Sequence, residues 1–478
     1  MEGIRIGLEV HVQLDTRSKL FCSCANENAE PNTNVCDVCL GFPGTKPRLN
    51  EKAIEQGIKI ALALGCNLNR RFLFSRKTYF YPDLSKDYQI TQQEVKLARG
   101  GSVKINNKEI RLRGIHLEED PARIVRKDDC CLLDYNRSGT PLVEIVTEPD
   151  LSSPAEARLF LQKLQQIIEY LYVTDFRKEG CMRMDANISV TRFENVFDPF
   201  LGRMVEQKKD GERVEIKNIS GIKDVEKSLS FEIIRQKNVQ EVKRETRLWN
   251  EKTKTTTSAR AKEEEEDYGY IFEPDLPIME IDDELLNKVQ SNLPELPDLK
   301  KKRYLKMGTI SEEIIDTILT EPEMANYFEY LCETHSEKPA ATILAKYVKK
   351  TLNYHNISLK DSGIEIRHLR RLLDLLQDYK IMDDVAELVI REMVYDAVKK
   401  QKVREPDHVL RDLKLDKPLE EEQLEKYVRD VIRGNAKAVR DYENGHEEAF
   451  NYLVGQVMKK SGRHASPGRI REMIKDMI

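Results

Sequence analysis

Between residues 4 and 14 every even position is apolar (Ile4, Ile6, Leu8, Val10, Val12, Leu14), while the odd ones are Arg5, Gly7, Glu9, His11 and Gln13. Successive side chains of a strand point to opposite faces, so this segment specifies a strand with one buried and one polar face. A slip of one residue would bury Glu9 and His11 together, which fixes the register. The pattern returns at 181 to 190, where Met182, Met184, Ala186, Ile188 and Val190 oppose Cys181, Arg183, Asp185, Asn187 and Ser189. A shorter copy sets Val214 and Ile216 against Arg213, Glu215 and Lys217. Three strands far apart in the chain are thereby predicted to share a polar face rich in carboxylates and amides.

Helix signals fall between them. Asn50 can cap a helix ending at Gly65, and Ser153-Pro154-Ala155-Glu156 reads as a capping box with Pro at the first helical position, before an Ile/Leu-rich run to about Tyr172. A third helix is predicted over 221 to 237, with Val225, Leu229, Ile233 and Ile234 on one stripe. After Glu273-Pro274-Asp275-Leu276-Pro277, and from about 291 onward, alternation gives way to charged amphipathic patterns such as Leu369, Leu372, Leu373 and Leu376. A second boundary is placed near Glu405-Pro406. Beyond it Leu424, Val428 and Val431 mark one helix face, and Leu453, Val454 and Val457 another. The expected class is α+β: a mixed-sheet cradle domain at 1–290, a helical domain at 291–405 and a small all-α tail domain at 406–478.

Composition narrows the function classes. Across 478 residues, 78 Lys and Arg face 83 Asp and Glu, a net charge of −5, which excludes a broadly basic nucleic-acid binder but not a local basic face. No apolar run approaches the roughly 18 residues of a membrane span, and the alternating N-terminus does not resemble a signal peptide. Nine cysteines, four of them between Cys22 and Cys39, suit a reducing, cytoplasmic setting with a metal site better than a secreted disulfide scaffold.

Cys22 and Cys24, then Cys36 and Cys39, are two close pairs separated by a short loop, a pattern that can give four thiolates to a structural Zn²⁺; a metal-free turn is the alternative. On the polar strand face, Glu9 and His11 point the same way, as do Asp185 and Asn187. The segment IHLEEDPAR adds His116, Glu118, Glu119 and Asp120. Glu144 interrupts Leu142-Val143-Glu144-Ile145-Val146, where a carboxylate is costly unless it is paired or metal-bound. Converging carboxylates favour a hard cation such as Mg²⁺, with ordinary cross-strand ion pairs as the competing reading. There is no Gly-x-x-x-x-Gly-Lys-[Ser/Thr] loop and no Gly-x-Gly-x-x-Gly fingerprint after a strand, so any ATP would be held on another scaffold. No Ser or Cys is set beside a base in a way that suits amide hydrolysis.

The segments GLEVHVQLDTRSKLFC, EPNTNVCDVCLGFPG, SRKTYFYPDLSKDYQIT, HLEED, DYNRSGTPLVEIVTEPD, DANISV, EIKNIS, ETRLW and EPDLP resemble the GatB family, the ATP-using subunits of the aspartyl/glutamyl-tRNA amidotransferases, as do AVRDYENG and FNYLVGQVMKKSG near the C-terminus. The likeness covers most of the chain and is loosest from about 300 to 405. It implies ATP- and Mg²⁺-dependent phosphorylation of the side-chain carboxylate of Glu on tRNA(Gln) or Asp on tRNA(Asn). Ammonia released from glutamine by a partner amidase (glutaminase) subunit then displaces phosphate, and a small third subunit bridges the two. By the same resemblance Glu9, His11, Glu119 and Glu144 surround the Mg²⁺ and the transferring phosphate, and Asp185 and Asn187 extend that shell. Lys77, Tyr81, Lys217 and Arg247 are expected to contact the nucleotide or the aminoacyl end. The related archaeal subunit specific for Glu-tRNA(Gln) and a non-catalytic tRNA scaffold are the alternatives. Lys459, Lys460, Arg463, His464, Arg469 and Arg471 make the end of the tail locally basic, as a tRNA backbone would require.

Overall fold

The computed structural model describes residues 3–127, 129–178, 180–198, 200, 203–209, 211–239, 241–261, 269–378, 381–415, 421–443, 445–461, 465 and 467–478. The chain forms two compact units, Met1–Leu296 and Pro297–Ile478. The first is built on a ten-stranded sheet. Its principal strands are β1 (Ile4–Gln13), β2 (Lys108–Glu119), β3 (Pro141–Thr147), β4 (Met182–Val190), β5 (Val214–Ile219), β6 (Glu245–Asn250) and β7 (Thr255–Ala261). They run in the order β7-β6-β5-β4-β1-β3-β2, followed by Ala98–Arg99 and Asn67–Leu68 at the far edge. The β5–β6 pair is parallel, whereas β1 pairs antiparallel with both β3 and β4, so the sheet is mixed, as expected.

The predicted alternation holds: Ile6, Leu8, Val10 and Val12 are at most 1% exposed and form the core. That face is covered by the helices Glu51–Ala63, Pro154–Leu171 and Ile222–Asn238. Asn50 caps the first, its side chain accepting from Lys52 N. Ser153 caps the second, its Oγ accepting from Glu156 N, but the Glu156 carboxylate reaches Ser152 N, one residue before the cap, so the expected box is offset. In the third, Val225 and Leu229 are buried, whereas Ile234 is 60% exposed. At 100° per residue the stripe through 225 and 229 continues to 232 and 236, and it is Glu232 and Gln236 that lie buried there.

The second unit is helical from Pro297 onward among the described residues. Leu369, Leu372 and Leu373 are buried as the pattern requires, with Leu375 rather than Leu376 beside them. Leu424, Val428, Val431, Leu453, Val454 and Val457 meet in a core of their own near the C-terminus.

Candidate active site

Strand register assembles the polar face. His11 on β1 faces Glu144 on β3 and Arg183 on β4, and Glu144 in turn faces His116 on β2. Four neighbouring strands thus place His116, Glu144, His11 and Arg183 in one row. One step along β1, Glu9 faces Asp185, and Asn187 faces Glu215 on β5.

Two groups of ligating side chains result. In the first, His11, Glu118 and Glu144 each bring a donor atom within 4.8 Å of the others. His11 Nε2 lies 3.3 Å from Glu118 Oε1 and 3.8 Å from Glu144 Oε2, and His116 Nε2 lies 2.9 Å from Glu144 Oε2. Burial pushes the Glu118 carboxyl up to about 8, reinforced by the charge of Glu144. Burial opposes ionisation of Glu144 too, but His116, by charge and by hydrogen bond, and then His11 hold its carboxyl below the usual range. Burial lowers His11 against the pull of Glu144 and Asp185. Two adjacent carboxylates are therefore driven apart, one ionised and one holding its proton until a cation takes its place.

The second group is Glu9, Asp185 and Glu215, again within 4.8 Å. Asn187 Nδ2 donates to Glu9 Oε1 at 2.9 Å, and Lys217 Nζ lies 3.3 Å from Asp185 and 3.6 Å from Glu215. Burial raises Glu9 to about 7, helped by the charges of Glu144, Glu215 and Asp185. The facing charge of Asp185 raises Lys217 although burial opposes it, so the ammonium is firmly kept.

The four residues expected around one Mg²⁺ do not converge. His11 and Glu144 meet Glu118, Glu9 belongs to the second group, and Glu119 points to the opposite side of β2. The cause is strand parity: Glu119 falls in step with the buried Ile115 and Leu117, and it pairs there with Lys86 Nζ at 2.5 and 2.6 Å and accepts from Ile90 N. Counting in twos from His116 reaches Glu118, and this was the signal available in the sequence. Arg247 also leaves the polar face. Its register partner is the buried Ile216, and its guanidinium donates to Glu245 at 2.8 Å and lies 3.6 Å from Glu232 of the covering helix. Asp185, Asn187 and Lys217 do reach the second group. Lys77, on the strand Ser75–Thr78, lies close enough to Glu118 to oppose its rise, and Tyr81 follows in the next loop, 37% exposed. Arg183 enters the site unanticipated, held by Asp120, which is 1% exposed and also binds Arg137.

The sulfurs of Cys22, Cys24, Cys36 and Cys39 also lie within 4.8 Å of one another. Sulfurs about 2.3 Å from a tetrahedral zinc sit roughly 3.8 Å apart, so the four thiols fit a closed structural site. Cys39 is pulled down to about 4, first by the hydrogen bond with Cys22, then by the Cys36 N–H and the Lys19 ammonium, while Cys22 rises in return.

The family model described as the GatB/GatE catalytic domain matches residues 4–287, and one described as the GatB domain matches 326–478. The chain belongs to the GatB family. It is 42% identical over 489 residues to the GatB-type aspartyl/glutamyl-tRNA(Asn/Gln) amidotransferase subunit of Methanoregula boonei, covering 98% of this chain and 97% of that protein. The protein of the same name from Methanospirillum hungatei is 43% identical, covering 99% and 98%, and that of Carboxydothermus hydrogenoformans 38%, covering 99% and 98%. Both metal-ligating groups of the sheet and the four cysteines lie within the segment that matches the catalytic domain. In the tail of this GatB family member, Lys460 pairs with Asp430, Arg469 with Glu421 and Glu472, and Arg471 with Asn451. Arg463 and His464 lie outside the described residues. Among the described residues, no helix is long and apolar enough to cross a membrane.

Proposed function

We propose that this chain is the kinase and transamidase component of a tRNA-dependent amidotransferase, acting in the cytoplasm with an amidase (glutaminase) partner and a small third partner that bridges the two. Its substrates are Glu on tRNA(Gln) and Asp on tRNA(Asn). A carboxylate is a poor acyl donor because oxide would have to leave. Transfer of the ATP γ-phosphoryl to the side-chain carboxylate gives an acyl phosphate and ADP, and ammonia then displaces phosphate to leave the amide. Divalent cations, when bound, would offset charge on the phosphoryl group in transfer. His11, Glu118 and Glu144 would hold one. Glu9, Asp185 and Glu215, an all-oxygen set suited to Mg²⁺, would hold another. Lys217 supplies a fixed positive charge beside the second, Arg183 beside the first, and Asn187 orients Glu9. Lys77 and Tyr81 border the same face and are assigned to the nucleotide or the aminoacyl end.

The single observation carrying this reading is the packing of two carboxylate groups, with perturbed and opposed protonation, side by side on one sheet face within the matched catalytic domain. Such an arrangement argues against a non-catalytic scaffold, whose ordinary ion pairs would not bury like charges together. Relatives of the same name match almost end to end, in archaea and bacteria alike, which favours the GatB type over the archaeal Glu-tRNA(Gln)-specific type. The domains are assigned as 1–290 for catalysis, 291–405 as a helical connector and 406–478 for tRNA. The tail ion pairs are exposed and of little net value, so phosphates can displace their acids.

The purified protein with its partners, given ATP, Mg²⁺, ammonium and Glu-tRNA(Gln) or Asp-tRNA(Asn), is expected to form the amide; no ATP-dependent amide on either tRNA would overturn the assignment. Cation binding carries a pH signature. Glu118 and Glu9, at about 8 and about 7, must lose protons to bind a cation. Mg²⁺ affinity should therefore climb from pH 6 to about 8 and level off above, measured by calorimetry, and a flat profile removes these two ligands. The sign for the metal-free protein is the reverse. Carboxyls raised on folding stabilise it fully below their unfolded values, and that contribution is lost as pH rises through about 7 to 8. For the cysteines, a Cys36→Ser, Cys39→Ser variant should lose about one zinc per chain by metal analysis; equal zinc in both proteins would refute the site.

A further inference from the structure

Lys19 is 0% exposed, one of the largest fully enclosed side chains of the molecule. An ammonium taken out of water is costly unless a negative group answers it, yet among the described residues no carboxylate pairs with Lys19. Its Nζ instead donates to three acceptors: Asn34 O at 3.0 Å, Tyr135 O at 3.4 Å and Cys39 Sγ at 3.6 Å. The aliphatic stem passes beside Gly139, where an added Cβ would stand 3.5 Å from Lys19 Cδ and where φ is +87°. Three N–H groups meet three acceptors, but two of these are neutral carbonyls. The countercharge has to come from sulfur.

Four thiolates around a divalent cation carry a net charge of −2, itself expensive in a low-dielectric setting. We propose that Lys19 is the charge partner of this tetrathiolate. Its buried ammonium cancels one of the two excess charges and so secures metal retention, while its bond to Tyr135 O ties the cysteine loop to the segment that leads into β3 and Glu144. Lys19 is a positioning residue on this reading. It touches no substrate and acts through Cys39, whose Sγ also receives the Cys36 N–H at 3.1 Å. The same geometry brackets the loop from the other side: Ser138 Oγ donates to Cys39 O at 3.2 Å, and Asn136 Nδ2 to Glu30 O at 2.7 Å. Ammonium, thiolates and the 134–140 segment thus form one connected block.

The inference rests on zinc occupying the four thiols, and the two fail differently. Zinc is first counted in the native full-length chain; a chain without zinc ends both. With zinc present, its transfer to a colorimetric chelator is timed. Lys19→Met, which keeps the volume and removes the charge, should release zinc roughly 10- to 100-fold faster, whereas Lys19→Arg should stay close to native. Replacing one thiolate by a neutral ligand, Cys24→His, lowers the excess charge to −1. In that background Lys19→Met should accelerate release far less. Zinc release from Lys19→Met at the native rate, or an equal acceleration in the Cys24→His background, would overturn the proposal, because packing alone would then account for Lys19. Should Lys19→Met not fold, the Lys19→Met, Cys24→His double variant is expected to fold and carry zinc, and its failure to do so counts equally against the charge partnership.

Discussion

Glu144→Gln should abolish ATP-dependent amide formation, a fall on the order of 10²- to 10³-fold or more, while the chain still folds and binds tRNA. The change is isosteric, so the strand keeps its packing between the buried Val143 and Ile145. What it removes is the one carboxylate of the face held ionised by two imidazoles, His116 at 2.9 Å and His11 at 3.8 Å. The amide oxygen can still accept from His116, and either histidine can become neutral, so no uncompensated charge is left buried and stability should change little. The loss therefore appears in kcat, not in the melting temperature. Amide formation and aminoacyl-tRNA-dependent ATP consumption, assayed with the amidase and bridging partners, check it. Turnover within a few-fold of native would remove Glu144 from the site.

How much of this was readable beforehand depends on which physical rule governed each residue. Strands β1, β4 and β5 were legible because a half-buried strand must alternate, and no helix satisfies the same pattern. Glu144 was legible because a charge inside an apolar run needs a partner. The four cysteines declared themselves by spacing. The pairing of strands did not. Nothing local says that β1 lies between β3 and β4, so the division of the acidic residues into two groups, and the entry of Glu215 and Arg183, depend on register between segments over 170 residues apart. Arg247 was misplaced for a related reason. Next to Ile216 in a parallel pair it falls on the covered face, and only the neighbouring strand decides that. Ile234 was misplaced by arithmetic that the helix itself supplies.

Glu118 and Glu119 give the sharpest contrast, since neighbours in sequence are set on opposite faces with opposite jobs. Glu118→Gln should lower ATP-dependent turnover by about 100-fold and flatten the pH dependence of Mg²⁺ affinity. At pH 8 it should also slightly stabilise the metal-free fold, because a carboxyl that resists ionisation is replaced by a neutral amide. Glu119→Gln acts through Lys86, an ammonium only 10% exposed that would lose both carboxylate contacts. Removing one partner of a buried pair costs about 3–5 kcal/mol, which should lower the melting temperature by roughly 5–10 °C. The double variant Glu119→Gln, Lys86→Met removes the stranded charge and should recover most of that loss. Melting curves and turnover per folded molecule separate the two positions. Were Glu119→Gln stable and inactive while Glu118→Gln kept its activity, the cation would belong to Glu119, and parity along β2 would have misled the assignment.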